Sequence, residues 1–395
     1  MADSREGIRI MMSQRTIIRF CLLVLVLGLA ATPAFAPADE PLPMLTVGHV
    51  GHDHHIALYV AAEEGQALEK RAGVWLKELK PQEVYDLYDR GKPVARLNLV
   101  KVGGGAKMPA ALEQGHIEVG LGGLGPVAKF IDKGSAIKVL APLNNDGDAL
   151  VLRSGLAASS WADFVRLVKS SPRPVRIGYK DPLANAYMIL ARALAEEGIR
   201  SGQEPVGPDG KPVQVITVNL QGDENMLPSM ESGIVDGVVA NEPVPSILVQ
   251  KKTGVWVADL SDLPPAGKWK DHPCCVVAAG GKALKEKRGI IRSLLKAIAA
   301  GADIIAQDHA KALAAEAKWT KTAPEIGKLS VARVRYIGRA DDAWLRAADT
   351  WFDMMQSSQA FQKDLMGREA SAIRSIVFDL APLNEALAEM RAGVR

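Results

Sequence analysis

Short apolar runs alternate with amphipathic helical segments along most of the chain. The first apolar run covers residues 45–50, and apolar residues then recur at three- and four-residue spacing over residues 56–68. Runs at 97–102 and 117–121 each end in glycines and lead into further helical patterns. Strands that alternate with helices predict an α/β fold, in which a mostly parallel sheet is flanked by helices.

The α/β pattern restarts after a stretch of small residues at 154–160. Strand patterns at 174–178, 213–220 and 234–240 are separated by helical patterns, and a polar loop interrupts them at 202–211. From residue 282 to the C-terminus the chain is rich in Ala and Leu, which predicts a helical tail packed on the first α/β unit. The stretch from Trp75 to Arg96 is predicted to be a surface excursion.

Residues 1–36 have the pattern of a secretory signal peptide. Arg15 and Arg19 precede an apolar run at 20–31, and the small residues before and at Ala36 suit cleavage after that position. The run is shorter than the roughly 20 residues that a membrane-spanning helix needs. We therefore expect an exported, periplasmic protein.

Composition then excludes several classes of protein. The chain of 395 residues carries 48 Lys and Arg against 45 Asp and Glu, and removal of the predicted leader lowers its net charge from +3 to +1. A charge this small gives no basis for a nucleic-acid partner. The leader also takes Cys21, so the mature chain keeps only Cys274 and Cys275 and is not a disulfide-stapled scaffold.

Three glycine-bearing turns follow predicted strands, at residues 51–55, 103–105 and 122–125. Ligands of open α/β sheets bind beyond the carboxyl ends of the strands, so these turns are predicted to face one site. The alternative is that each glycine only permits a tight turn.

Two segments resemble one family. Residues 110–120 (AALEQGHIEVG) and residues 230–243 (MESGIVDGVVANEP) are similar to paired elements of nitrate/sulfonate/taurine-type substrate-binding proteins of ABC importers. The resemblance spans about residues 45–310 and extends to thiamine-pyrimidine synthase relatives that share the fold.

The resemblance implies a two-lobed periplasmic-binding-protein fold of the type II-like class. Lobe I would comprise residues 45–152 and 245–395, the latter with the helical tail, and lobe II residues 153–244. The ligand would lie between the lobes. Ligand contacts are expected from the following residues: Gly51, His52, His54, His55, Gly103, Gly104, Gly123, Leu124, Asn144, Leu183, Asn185, Glu242 and His272. Asn241 stands where the family often has an aromatic residue, and the second-lobe helix lacks the usual hydroxyls.

Four of the seven histidines lie between His49 and His55. At least one of them is expected to contact the ligand directly. The first alternative is a helix start capped by Asp53, which needs no ligand. The second is a zinc, nickel or copper site that uses His52, His54, His55 and Cys274, since imidazole and thiolate suit these ions.

The segment Asp271-His272-Pro273-Cys274-Cys275 carries the remaining candidate chemistry. Buried thiols at the start of a strand are the simplest interpretation, because a disulfide between neighbours is strained. His272 or Cys274 could instead reach the cleft, either as soft metal ligands or as a nucleophile pair in a thiamine-pyrimidine-synthase-like enzyme. Lys180 and Glu242 could together anchor a zwitterion from the two lobes.

The sequence thus predicts a periplasmic binding protein that captures a small polar or anionic organic molecule and presents it to the permease of an ABC importer. We expect no enzymatic activity, no cofactor and a monomer. The periplasmic metal-binding protein and the enzyme remain as alternatives.

Overall fold

Two β-sheets flanked by helices organise the chain. The computed structural model describes residues 41–105 and 107–393, so the predicted signal peptide and its cleavage site at Ala36 lie outside the described residues. Residues from Leu42 onward form one unit. Within the described ranges, no helix is both long enough and apolar enough to cross a bilayer.

The elements alternate as the sequence predicts. The strands are β1 (Met44–His49), β2 (Val74–Lys80), β3 (Val84–Asp89), β4 (Lys92–Lys101), β5 (Val119–Gly123), β6 (Ile137–Pro142), β7 (Asn144–Asp146), β8 (Asp148–Arg153), β9 (Val175–Tyr179), β10 (Ser201–Gly202), β11 (Val215–Asn219), β12 (Gly237–Asn241), β13 (Gly254–Asp259), β14 (Cys275–Gly280) and β15 (Val334–Tyr336). The α-helices are α1 (Ile56–Glu64), α2 (Glu69–Ala72), α3 (Met108–Glu113), α4 (Leu124–Asp132), α5 (Trp161–Ser170), α6 (Asn185–Glu196), α7 (Met226–Glu231), α8 (Val244–Gln250), α9 (Gly281–Glu286), α10 (Arg288–Gln307), α11 (His309–Thr320), α12 (Pro324–Ser330), α13 (Asp342–Ser357), α14 (Ala370–Val377) and α15 (Ala381–Gly393).

The first sheet has seven strands in the order β2-β3-β4-β1-β5-β14-β6, and the second has six in the order β10-β11-β9-β12-β8-β13. In the first sheet β1 is parallel to both β4 and β5, while β14 runs antiparallel between β5 and β6. In the second sheet β9 is parallel to β11 and β12. The predicted α/β fold class is confirmed.

The segment from Trp75 to Arg96 is not a surface excursion, and that prediction was wrong. Its residues form β2, β3 and the start of β4, an antiparallel meander that extends the first sheet. Arg90 and Gly91 both have positive φ, the backbone shape of a tight hairpin turn that matches the twist of the strands. The rings of Trp75 and Tyr88 stack across the hairpin with centroids 4.3 Å apart.

The sheets do not coincide with the lobe boundaries expected from the sequence. Both β8 and β13, which that division placed in lobe I, pair in the second sheet, where β8 runs antiparallel to β12 and β13. An apolar run predicts a strand but not its pairing partner, which explains the difference. We therefore propose that lobe II extends from about Asp148 to Asp259.

The C-terminal region is helical, as predicted, and it returns to the first sheet. The backbone N–H of Asp379 donates to the carbonyl of Val139 in β6 at 2.9 Å. One short strand, β15, pairs antiparallel with β7.

Candidate ligand-binding cleft

A cleft of about 440 Å³, its open mouth included, lies between the two sheets. The part of this space that the centre of a water molecule can occupy is about 40 Å³, so the two sides of the cleft lie close together. The cleft is lined by His52, His54, Gly105, Gly123, Pro126, Lys180, Asp181, Leu183, Ala184, Asn185, Asn241, Cys274 and Cys275.

Both sheets contribute to the lining through the ends of their strands. On one side the histidine turn (residues 52–55) follows β1, Gly105 follows β4 and Gly123 ends β5. On the other side Lys180 follows β9 and Asn241 ends β12. The convergence of these strand ends is the arrangement that the alternating pattern predicts for a ligand site.

Two close approaches join the sides of the cleft. The Asn185 side chain, at the start of α6, donates through Nδ2 to the carbonyl oxygen of Pro273 at 2.5 Å. Gly125, in α4, has no Cβ, and a Cβ there would lie 2.9 Å from the carbonyl oxygen of Leu183. The structure is therefore closed over the cleft at these two points.

The histidine turn is organised mainly by its own hydrogen bonds. His52 is the N-cap, and its Nδ1 accepts from the backbone N–H of His54 at 3.1 Å. His55 Nδ1 likewise accepts from the N–H of Val50 at 3.1 Å. The alternative in which Asp53 caps the helix does not hold, because its carboxylate is fully buried and makes no hydrogen bond within the described part of the chain.

His49, at the end of β1, and His52, in the histidine turn, are both neutral. Burial, with help from His55 and Lys101, lowers the pKa of His49 to about 3, and Nδ1 of His49 lies 2.9 Å from the Tyr59 hydroxyl. Burial also lowers the pKa of His52 well below its ordinary value, assisted by neighbouring His55 and His54. His52 is therefore neutral. Its Nδ1 is bonded to the His54 N–H, so Nε2 is the ring nitrogen that can form a hydrogen bond with a ligand.

His54 meets the two cysteines at the floor of the cleft. Its Nδ1 lies 3.2 Å from Sγ of Cys274 and 3.9 Å from Sγ of Cys275, and the two sulfur atoms are 4.0 Å apart. The cysteines are free thiols, and all three side chains are at least nine-tenths buried. We refer to these three residues as the His-Cys-Cys cluster.

The cluster concentrates negative charge around one point. A hydrogen bond from the Cys274 thiol lowers the pKa of Cys275 well below its ordinary value, and the same contact raises the pKa of Cys274. Burial opposes a charge on His54, but Cys275, Asp53 and Asp148 outweigh it and raise the pKa of His54 to about 9. These surroundings stabilise a positive charge between Nδ1 and the sulfur atoms.

Asn144 contacts two residues of the His-Cys-Cys cluster. Its Oδ1 accepts from the backbone N–H of Cys275 at 3.2 Å, which turns Nδ2 toward Nδ1 of His54, also at 3.2 Å. The Asn144 side chain is completely buried and is not part of the cleft lining. Its position is therefore that of a residue that fixes the backbone of Cys275 beside His54.

His272 is enclosed by acceptors. Its Nε2 lies 2.7 Å from Asp148 Oδ2, and its Nδ1 lies 3.0 Å from Asp146 Oδ1 and 2.8 Å from the Trp269 carbonyl. Burial opposes the charge, but the two carboxylates raise the pKa of His272 to about 10. With both ring nitrogens engaged, His272 stabilises the structure beside the cleft.

Glu242 is turned away from the cleft and caps a helix. Its carboxylate accepts from the Ser246 backbone N–H at 3.1 Å and from the Ser246 hydroxyl at 2.8 Å, near the start of α8. Burial, with repulsion from Asp53, raises the pKa of Glu242 to about 7. The expected pairing of Lys180 and Glu242 around a zwitterion has no support in this geometry, because Lys180 pairs with Asp223 at 3.1 Å.

The cleft brings together part of the predicted set. His52, His54, Gly123, Leu183 and Asn185 line it, together with Cys274 from the metal alternative. Outside the lining lie Gly51, His55, Gly103, Gly104, Leu124, Asn144, Glu242 and His272. Gly51 and Gly104 have positive φ, so these two glycines serve the turn itself.

Sequence reasoning left Asn241 and Cys275 out of the predicted ligand-binding set. Asn241 Nδ2 lies 3.6 Å from Cys274 Sγ, and Asn241 Oδ1 is buried without a partner among the described residues. Its place directly before Glu242-Pro243, where the related proteins often carry an aromatic residue, was a signal that could have identified it.

Comparison with solved structures defines the class of fold. The nitrate-binding protein NrtA from Synechocystis PCC 6803 superposes with a TM-score of 0.66 at 15% identity, over 90% of this chain and 91% of that protein. A ligand-binding component of an ABC-type import system from Staphylococcus aureus, solved with zinc bound, gives 0.65 at 15% identity over 87% and 99%. The alkanesulfonate-binding protein SsuA from Xanthomonas axonopodis pv. citri, bound to MOPS, gives 0.60 at 14% over 85% and 99%. The chain has the periplasmic-binding-protein fold.

The family follows from the sequence match. The model of the NMT1-like family matches residues 38–319, and the chain belongs to this family. An uncharacterized protein of Methanocaldococcus jannaschii, MJ1180, is 38% identical over 112 residues, which are 28% of this chain and 77% of that protein. The resemblance inferred from residues 110–120 and 230–243 is confirmed.

Proposed function

We propose that this protein is the substrate-binding component of an ABC importer, which captures a small polar or anionic organic molecule in the cleft. The main support is the lining of the cleft by strand ends of both sheets, together with the contacts that close it at Asn185 and Gly125. Closure on a ligand gives the partner permease a distinct form to recognise. Export to the periplasm and a monomeric state belong to the same proposal.

The polar groups of the cleft suit a ligand with both acceptor and donor groups. Lys180 supplies a positive charge, because Asp223 outweighs the effect of burial and raises its pKa. Hydrogen bonds are supplied by the neutral His52 ring and by Asn241 Oδ1, which has no partner among residues 41–105 and 107–393. One cation that is shared with Asp223 favours a weakly anionic or zwitterionic molecule over a multiply charged anion.

A ligand screen by thermal shift tests the proposal. A molecule that binds only the folded protein stabilises it by about 2.7 kcal/mol when present at roughly 100 times its Kd, which raises the melting temperature measurably. Native mass spectrometry of freshly purified protein would show a retained ligand. The proposal is rejected if a broad panel of small polar molecules gives no shift and scattering shows no closure.

Replacement of Gly125 by alanine is expected to weaken ligand binding about 10-fold or more. The new Cβ would lie 2.9 Å from the Leu183 carbonyl, so the cleft must open slightly, and overpacking of this kind costs about 1–3 kcal/mol. The Kd for a ligand found in the screen, measured by calorimetry, checks the expectation.

Gly289→Ala is the matched control, since a Cβ at Gly289 has no neighbour within 4 Å. This variant should bind as the wild type does. Equal affinity of the Gly125 and Gly289 variants would show that closure at Gly125 is unimportant for binding.

A further inference from the structure

The His-Cys-Cys cluster presents three metal-binding atoms to one point of the cleft. His54 Nδ1 and the two sulfur atoms of Cys274 and Cys275 all lie within 4.8 Å of one another. All three residues line the cleft, so the point between them faces the ligand space.

The neighbouring cysteines at the start of β14 bring their sulfur atoms to 4.0 Å from each other. Successive side chains of a strand point to opposite faces, which would separate the two thiols. Cys274 directly precedes the first residue of β14, Cys275, and the two sulfur atoms lie 3.2 and 3.9 Å from Nδ1 of His54. The Cys274 N–H donates to the backbone carbonyl of Asn144 at 3.1 Å, and the Cys275 N–H donates to its side chain. The thiols are held together by these bonds without a disulfide.

The distances match a tetrahedral metal site. Zinc lies about 2.3 Å from a thiolate and about 2.0 Å from an imidazole nitrogen. Tetrahedral angles then require about 3.8 Å between sulfurs and about 3.5 Å between sulfur and nitrogen. The observed 4.0 Å between sulfurs, and 3.2 and 3.9 Å from sulfur to Nδ1, differ from these values by only a few tenths of an ångström.

We propose that His54, Cys274 and Cys275 bind one zinc ion, whose fourth coordination position opens into the cleft. Two thiolates and a neutral imidazole balance the charge of a divalent ion, which is important at a buried site. Three protein ligands with an open position are the pattern of zinc sites that bind a further molecule. Asn144 positions the Cys275 ligand, because its Oδ1 accepts from the Cys275 backbone N–H at 3.2 Å.

The role of the open position rests on the proposed function: a donor atom of the captured molecule would occupy it and displace water. The zinc site itself does not depend on an organic ligand. Metal uptake and ligand uptake can therefore be measured separately.

Cobalt(II) is the probe, since it replaces zinc and its thiolate complexes absorb in the near ultraviolet. The full chain, purified without a metal-affinity tag, reduced and freed of metal by chelator, is titrated with cobalt(II) and then with zinc(II). We expect one cobalt per chain, thiolate-to-cobalt charge-transfer absorption, tetrahedral visible bands, and displacement by one equivalent of zinc. Absence of cobalt and zinc uptake by the folded, reduced wild type would overturn the proposal, and so would uptake without thiolate absorption.

Variants identify the ligands. Cys274→Ser, Cys275→Ser and His54→Gln should each weaken zinc binding by more than the roughly 10–100-fold that is usual for outer-shell changes. His116→Gln, which changes an exposed histidine far along the chain, should bind as the wild type does. Circular dichroism confirms folding of each variant, and the wild-type cobalt spectrum remains decisive if one fails to fold. Unchanged affinity in either cysteine variant excludes the site.

Ligand binding is then compared in metal-free and zinc-loaded protein. Tighter binding of the screened ligand to the zinc-loaded form supports the role of the open position. If a ligand binds equally well with and without zinc, the inference about the open position fails and the proposed function stands. If zinc binds at the three residues but no organic ligand is found, the zinc site stands and the proposed function fails.

Discussion

Replacement of Asp236 by asparagine is expected to lower the free energy of unfolding by about 2–3 kcal/mol. The Asp236 carboxylate is buried and accepts two hydrogen bonds from Arg173, each 2.8 Å, and one from the Arg176 N–H at 2.9 Å. An asparagine keeps one acceptor and turns an NH₂ group toward a guanidinium donor, so charge-assisted bonds are lost without a change in volume. Urea unfolding at neutral pH measures the difference.

Glu118→Gln is the matched control, because Glu118 occupies the corresponding place before β5. It accepts from the Thr46 N–H at 3.0 Å and pairs with Lys287, but both side chains of that pair are about one-quarter exposed. Exposed pairs contribute about 0–1 kcal/mol, so the loss should be smaller than at Asp236. A larger loss of unfolding free energy in Glu118→Gln than in Asp236→Asn would contradict the claim that the buried carboxylate of Asp236 contributes more to stability.

The Asp236 effect should depend on pH in the acid range. Burial opposes the charge, but Arg173 and the Arg176 N–H outweigh it and hold the pKa of Asp236 below the ordinary 3.8. A carboxyl whose pKa is lower in the folded state stabilises that state above the unfolded pKa and loses this contribution as the pH falls through the folded value. The difference between wild type and Asp236→Asn should therefore be full at pH 6 and shrink below about pH 4. A difference that stays constant to low pH would exclude the ion pair as its cause.

The contacts of the Glu118 and Asp236 carboxylates explain why the sequence motifs predict the fold but not the ligand. Both lie in the segments that carry the family resemblance, and in both copies the backbone N–H of Glu118 or Asp236 donates to a neighbouring strand whose N–H returns a bond to the carboxylate. The motif therefore belongs to the strand start, away from the cleft. For this reason it predicts the fold well and the ligand poorly.

Periodicity predicted the strands and helices that position the cleft, but not every pairing between them. The runs at β1, β4 and β5 and their glycine turns are local signals, and the convergence of their carboxyl ends follows from parallel pairing. The assignments of β8 and β13 to the second sheet depend on contacts far apart in sequence, which a local pattern does not contain.

Some residues of the site could likewise be predicted from the local sequence, and others could not. His52, His54 and Asn185 stand at turn positions after a strand or at a helix start, where the sequence indicates exposure to a ligand. Cys275 was not predicted as a ligand, because strand alternation places it opposite Cys274, whereas the two sulfur atoms lie 4.0 Å apart in the structure. The engagement of His272 by Asp146 and Asp148 likewise needed the three-dimensional structure.

Replacement of Gly301 by alanine is expected to destabilise the protein by about 3 kcal/mol or more. Gly301 lies in α10 where it crosses α1, and a Cβ there would stand 2.0 Å from the backbone oxygen of Ala57 and 2.9 Å from its carbonyl carbon. Both atoms belong to the backbone of a buried helix, so the clash is relieved only if the helices separate.

Gly289→Ala in the first turn of α10 is the matched control. A Cβ there meets no atom within 4 Å, so this variant should change stability by less than about 1 kcal/mol, in the stabilising direction. Urea unfolding of the two variants compares them directly, and equal effects would rule out the crossing as the cause. Because α1 begins immediately after the histidine turn, separation of the helices should also move His54 away from the cysteines, so Gly301→Ala should weaken zinc binding while Gly289→Ala should not.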